Sequence, residues 1–238
     1  MNRTVVRLAI RSIFGRKRGA LLFVLPVVLF ALAVLVRLLT GEDSSATTAV
    51  LYGVGLVLTV PLVALVAGTG VLAPEIDDGS IVYLLAKPVS RLAIVISKVV
   101  VAVGCVLVFA VVPLGLTGLF MNPSVLALGV GYGLGALVGG VTYAALFVML
   151  AATSRHAVVF GLIYVLIWEG LLGSLLDGVR WLSVTQWSAA VAAAVSNDSG
   201  LEVELGTTYA LSAVVVVTLV AVWFAGTRLR SFTLTGEE

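Results

Sequence analysis

Apolar residues in this chain fall into six runs, at about 20–39, 50–73, 92–120, 125–152, 157–176 and 208–227. Nothing else in the sequence restricts the fold as strongly. A helix needs roughly 20 apolar residues to cross a hydrocarbon core of about 30 Å. In lipid, backbone N–H and C=O groups must be satisfied inside the segment, and these runs show none of the period-two alternation of barrel strands. The expected fold is all-α, with six transmembrane helices in a single transmembrane domain over residues 1–238. Charged residues are 11% of the chain, against about 25% in a soluble domain. The spans consume the length, which leaves no room for a separate soluble domain.

Lys and Arg set the orientation. With both termini cytoplasmic, twelve of the fourteen basic residues fall inside, and only Arg37 and Arg180 fall outside. Spans three and four are then joined outside by the turn 121–124, and spans four and five inside by 153–156. The first apolar run follows six basic residues in eighteen positions and is long enough to span, so it reads as a helix rather than a cleavable signal.

Two segments are not expected to span. In 1–18, Arg3, Arg7, Arg11 and Arg18 recur on one helical face and Val6, Ile10 and Ile13 on another. That pattern reads as an amphipathic helix lying among the inner lipid headgroups. The outer segment 177–207 carries Trp181 and Trp187, residues suited to a membrane–water interface. Its run 187–195 reads as a short helix able to dip into the outer leaflet.

Catalytic signatures are missing. The chain has no GxxxxGK[ST] phosphate loop, no HExxH and no Gly-x-Ser-x-Gly. Its one histidine, His156, reads as an interfacial residue. Its one cysteine, Cys105, has no partner for an intramolecular disulfide. Asp77-Asp78-Gly79 lacks the further carboxylates that a membrane metal site would need. No catalytic residue, resident metal, cofactor or nucleic-acid partner is expected.

The segment 74–91 is the exception to this plainness, the one long charged stretch between two very apolar ones. Asp77 and Asp78 are placed to cap a helix whose first turn holds Gly79 and Ser80. Ile81, Leu84 and Leu85 then share one face. Pro88 ends the helix, because a residue before proline avoids the helical region. Arg91 and Lys98 return the chain to the membrane surface. Such a short helix suits a groove on a cytosolic partner, or packs on its own bundle.

The run Glu75-x-Asp77-x-Gly79-Ser80, followed by Leu84-Leu85 and Lys87-Pro88-Val89-Ser90-Arg91, resembles the loop of ABC-2 type transporter permeases. Ser80 stands where that family usually has Thr. The resemblance extends to the basic N-terminal helix, the six spans and the position of the loop between spans two and three. It implies a coupling helix seated on a separate ATP-binding subunit, which would hold ATP and Mg. It also implies a homodimer of permeases with two ATPases in a prokaryotic cell membrane. On this reading Glu75, Asp77 and Asp78 supply polar contacts and caps, and Gly79 and Ser80 the turn. Leu84 and Leu85 fill the partner's groove, Pro88 ends the helix, and Arg91 anchors it to the bundle or to headgroups.

Three further features complete the reading. Gly131, Gly135 and Gly139 recur every four residues in span four, a spacing that lets helices approach closely. They serve packing within the bundle, or else a subunit interface or substrate-lining face. Glu169 is the one carboxylate inside a span, and hydrocarbon demands that it face protein, water or a partner charge. It reads as a polar point in the outer half of a translocation path, or as the mark of a span's end, with Arg37 and Glu42 as available partners. Pro26, Pro61 and Pro113 are able to kink their helices. The expected function is therefore the permease subunit of an ATP-driven exporter. Alternatives are a subunit that transmits mechanical work without moving solute, and an ATP-independent secondary transporter.

Overall fold

The computed structural model describes residues 18–73, 75, 90–173, 177–196, 201, 203 and 205–231. The expected N-terminal interfacial helix lies outside these residues but for Arg18. So does the core of the 74–91 segment, including Asp77, Asp78, Gly79, Ser80, Leu84, Leu85 and Pro88.

Every regular element among the described residues is a helix. We label them α1 (Arg18–Thr40), α2 (Ser44–Gly70), α3 (Arg91–Met121), α4 (Leu126–Thr153), α5 (Ala157–Leu172), α6 (Asp177–Arg180), α7 (Val184–Ser196) and α8 (Thr207–Ser231). Five of them, α1 to α4 and α8, are long and apolar enough to cross a membrane, the make-up of a multi-pass membrane protein. The fifth apolar run is shorter than expected within the described residues. Its helix has seven α-helical residues followed by nine π-helical ones.

Turns 41–43 and 122–125 share one end of the bundle, called the upper end below. There Asn122 donates to Ser44 Oγ at 2.9 Å, Ser124 donates to Glu42 at 3.1 Å, and Arg37 pairs with Glu42 at 3.0 Å. Arg37 also donates to the Phe120 carbonyl and stands over the Phe120 ring. Segments 71–75 and 154–156 and the start of α3 form the lower end.

Helix α4 is the axis. Of its most apolar window 61% is buried, against 22% for α1 and for α8, which form outer walls. Those walls expose Val27, Val28, Leu38, Val216, Leu219 and Trp223, an apolar surface that belongs in lipid rather than water. Glycines let neighbours reach the α4 backbone. A Cβ on Gly118 of α3 would lie 2.6 Å from Gly129 Cα, and one on Gly68 of α2 would lie 2.8 Å from Phe147 Cβ.

The helix α2 starts six residues before the expected boundary. Ser44, Ser45, Thr47 and Thr48 lower its hydropathy there, but Asp43 caps it by accepting the Ser45 amide at 3.1 Å. Both interior prolines of α2 and α3 follow wide π-helical turns. The Val60 amide bonds to Gly55 just before Pro61, and the Val112 amide bonds to Leu107 just before Pro113. Proline has no N–H and its ring crowds the carbonyl four residues back. A wider turn ahead of it accommodates that crowding.

The helix α7 is the least expected element. At 13 residues it is about 20 Å long, too short to span. Yet Thr185, Trp187, Ser188, Ala189, Ala192 and Ser196 are all buried. It lies antiparallel along α4, with Val184 near Gly139 and Ser196 against Gly131. Gly139 is about 20 Å along the axis from Leu126, so α7 begins deep in the bundle and runs back to the upper end. The sequence reading placed a helix at 187–195 near the surface. It extends instead over Val184–Ser196, and Trp187 is a core residue whose indole N–H donates to the Trp181 carbonyl at 2.9 Å.

Candidate functional site

The polar centre of the bundle is assembled where α5 and α7 meet. Glu169 sits in the π-helical part of α5 and is only 6% exposed. One carboxylate oxygen accepts Tyr164 Oη at 2.9 Å and the Val184 amide at 3.0 Å. The other accepts the Ser183 hydroxyl and the Thr185 amide at 3.3 Å. Ser183 Oγ in turn accepts the Gln186 amide at 3.2 Å, the capping pattern for a helix start. The first turn of α7 would otherwise bury amides without acceptors. Glu169 supplies those acceptors, and its negative charge lies at the favourable end of the helix dipole.

The two elements need each other. A carboxylate is tolerable at this depth only where donors replace water, and a helix start is tolerable there only with acceptors. Around this junction Tyr143 Oη lies 2.8 Å from Thr185 Oγ1, and Gln186 Nε2 donates to Tyr52 Oη at 3.2 Å. Tyr209 Oη joins Trp187 on the Trp181 carbonyl, and the Trp181 and Tyr209 rings meet edge to face.

A cavity of about 780 Å³ opens beside Glu169. Ser45, Thr48 and Tyr52 of α2 form one wall, and Glu169, Thr185 and Gln186 form the other. Arg180, Leu201 and Val203 border it from the connecting segments, and Val57 lies deep on the α2 side. Tyr52 and Val57 belong to one π-helical stretch and Glu169 and Gly170 to another. Such distortions recur at functional sites because they re-aim side chains and carbonyls.

A second polar cluster lies at the lower end. The Lys98 side chain is fully buried. Its ammonium donates to the Val71 carbonyl at 2.7 Å and pairs with Glu75. This corrects the reading of Lys98 as a residue that returns the chain to the membrane surface. The helix is continuous from Arg91, and a neighbouring carboxylate and carbonyl satisfy the charge inside the protein. Arg91 donates to the Leu229 carbonyl near the end of α8, and Ser90 Oγ accepts the Ala93 amide at 3.4 Å. The two described residues of the expected coupling set, Glu75 and Arg91, are thus both tied to the bundle. The rest of that set lies outside the described residues.

Gly131, Gly135 and Gly139 line the face of α4 that receives α7. A Cβ on Gly131 would lie 2.8 Å from the Ala192 carbonyl, and one on Gly135 would lie 3.0 Å from Ala192 Cβ. A Cβ on Gly139 would run into the Ser188 hydroxyl. The opposing residues Ser188, Ala192 and Ser196 have the same four-residue spacing, so two small-residue stripes face each other. Arg37 and Glu42, considered as partners for Glu169, pair with each other at the upper end instead. Depth also differs from the sequence reading. Glu169 sits beside Thr185, at the α7 start that packs deep along α4, so it belongs to the middle of the bundle rather than to its rim.

Sequence reasoning missed Lys98, Tyr52, Ser183, Gln186 and Arg180 as members of polar sites. One signal was present: Ser183-x-x-Gln186 is a capping sequence, which announces a helix start. Among the described residues no three His, Cys, Asp or Glu side chains gather as metal ligands. No family model and no curated protein matches the chain.

Proposed function

We propose that this chain is the membrane subunit of an ATP-driven exporter of the ABC-2 type, driven by a separate ATP-binding subunit. Two copies of the chain pair with two such subunits in a prokaryotic cell membrane. Each copy has six spans, the fifth being the apolar run at about 157–176. Both termini are cytoplasmic, 1–18 lies among the inner headgroups, and the lower end faces the cytoplasm. ATP and Mg belong to the partner, and the chain itself performs no catalysis.

The observation that carries this reading is the anchoring of the 76–89 segment on both sides. Before it, Glu75 is paired to buried Lys98, which also holds the end of α2 through Val71. After it, Arg91 is bonded to α8 through Leu229. A loop that merely joins two spans needs no such fixing. A loop that receives a push must pass it to the helices without slack, and packed elements with two discrete arrangements carry such motion. The resemblance of the acidic-x-acidic-x-Gly-Ser sequence with the following Leu-Leu and Pro-x-x-Arg to the ABC-2 permease loop supports an ATP-binding subunit as the partner. The polar cavity beside Glu169 favours solute movement over purely mechanical work.

A photo-crosslinking residue in place of Leu84 tests the reading in native membranes. The expected adduct is a P-loop ATPase, sharply reduced when Leu85→Asp is added. Adducts containing only lipid or the chain itself would overturn it.

A further inference from the structure

Near the lower end, Gly161 of α5 packs against Leu65 of α2. Above that level the two π-helical stretches face each other across the cavity, with Tyr52 and Val57 on one side and Glu169 and Gly170 on the other. At about 780 Å³ the space falls in the range of pockets that hold small organic ligands. The charged residues among its described lining are Glu169 and Arg180, one of each sign. Both oxygens of Glu169 are taken by four donors of the protein itself, so that carboxylate serves the start of α7 rather than a ligand.

The groups left to a ligand are neutral. Gln186 of α7 reaches across to α2, where its Nε2 donates to Tyr52 Oη at 3.2 Å. Both residues line the cavity and both are half-buried. Their one bond leaves the Tyr52 hydroxyl proton, the second Gln186 amide hydrogen and Gln186 Oε1 without a protein partner among the described residues. Two donors and an acceptor thus stand side by side, which matches a hydroxyl or a carboxamide, since each of these both donates and accepts. An ion gains little from neutral dipoles and loses its hydration on entry. We propose that the cavity is a water-filled site for an uncharged organic solute bearing hydroxyl or amide groups, recognised by Tyr52 and Gln186. As a substrate class this solute rests on the transport reading. The site itself does not, and it is testable on this chain alone.

The test places single cysteines in a Cys105→Ala background, with the full chain in lipid nanodiscs so that reagent meets both faces. Ser45→Cys reports the rim, Val57→Cys the depth, and Leu58→Cys the lipid-facing side of the same helix, where Leu58 is 41% exposed. Three ethyl methanethiosulfonates are compared, carrying a hydroxyl, a trimethylammonium or a sulfonate group, each normalised to its rate with a free thiol in water. We expect Val57→Cys to react with the hydroxyl reagent about ten-fold faster than with either ion. Ser45→Cys should react with all three alike, which controls for the reagents themselves. Tyr52→Phe, which keeps the ring, should narrow the preference at Val57→Cys, and adding Gln186→Leu should abolish it. No reaction at Val57→Cys, a charged reagent as fast there as the neutral one, the same preference at Leu58→Cys, or a preference unmoved by Tyr52→Phe would overturn the proposal. All of these results leave the ATPase partnership untouched, so the two readings fail separately.

Discussion

Glu169 accepts the backbone amide of Val184 at 3.0 Å, so a carboxylate in the π-helical part of one helix caps the start of another in the middle of the bundle. This bond and its three companions fix where the chain turns back toward the upper end. They explain how an acidic residue and a helix terminus coexist at a depth where either alone would be costly.

Replacing Glu169 with Ala removes two acceptor oxygens and strands four donors at once. Each stranded donor costs about 1–3 kcal/mol, so Glu169→Ala should destabilise the protein by about 4 kcal/mol or more. Glu169→Gln retains one oxygen acceptor but turns an amide NH₂ toward protein donors, and it should recover less than half of the loss. Unfolding in mixed micelles of increasing SDS fraction, followed by tryptophan fluorescence, measures both. Equal stability of Glu169→Ala and the parent would remove the capping role.

Breaking the pair of Lys98 and Glu75 from one side leaves a charge buried. Lys98→Met alone should cost about 3–5 kcal/mol, whereas replacing a whole buried pair with apolar residues is often neutral. Lys98→Met combined with Glu75→Leu should therefore regain most of the stability. If coupling depends on this anchor, the double variant should fold yet lose transport-linked ATP hydrolysis. A double-mutant cycle on the same unfolding assay separates the two effects, and additive single losses would argue against direct pairing.

The close approach of α4 and α7 predicts a sharp contrast among glycines. Gly139→Val drives a branched side chain into Ser188 and should displace α7, seen as loss of a monodisperse peak in detergent chromatography. Gly104 has open space where a Cβ would go, and Gly104→Ala should be neutral or stabilising by about 0.5–1 kcal/mol. Adding Ser188→Gly to Gly139→Ala should restore the packing that Gly139→Ala alone disturbs. Indifference of α7 to all three changes would mean that the stripes do not hold it.

The spanning helices were legible in the sequence because their signal is collective, and the runs that became α1 to α4 and α8 needed no knowledge of partners. The small-residue stripe of Gly131, Gly135 and Gly139 was also legible as a packing face, though not its occupant. What escaped were elements whose character depends on tertiary context. The α7 sequence mixes Thr185, Gln186 and Ser188 with alanines, too polar for a hydropathy scan, and it is buried only because α4 and Glu169 receive it. Lys98 looks like a surface residue until the carbonyl of Val71 and the carboxylate of Glu75 are known to lie opposite. The early start of α2 was hidden because its hydroxyl residues have polar surroundings rather than lipid: Ser45 and Thr48 line the cavity, Ser44 accepts from Asn122, and Thr47 donates to the Asp43 carbonyl.

The mass of the intact complex tests the proposed partnership with an ATP-binding subunit. The chain, tagged at its C-terminus and extracted from native membranes in mild detergent, is measured by native mass spectrometry with identification of its components. Two copies of this chain with two copies of a P-loop ATPase are expected, with loss of the ATPase in Leu84→Asp while the chain remains in the membrane. A complex that holds no ATPase under several gentle extraction conditions would contradict it.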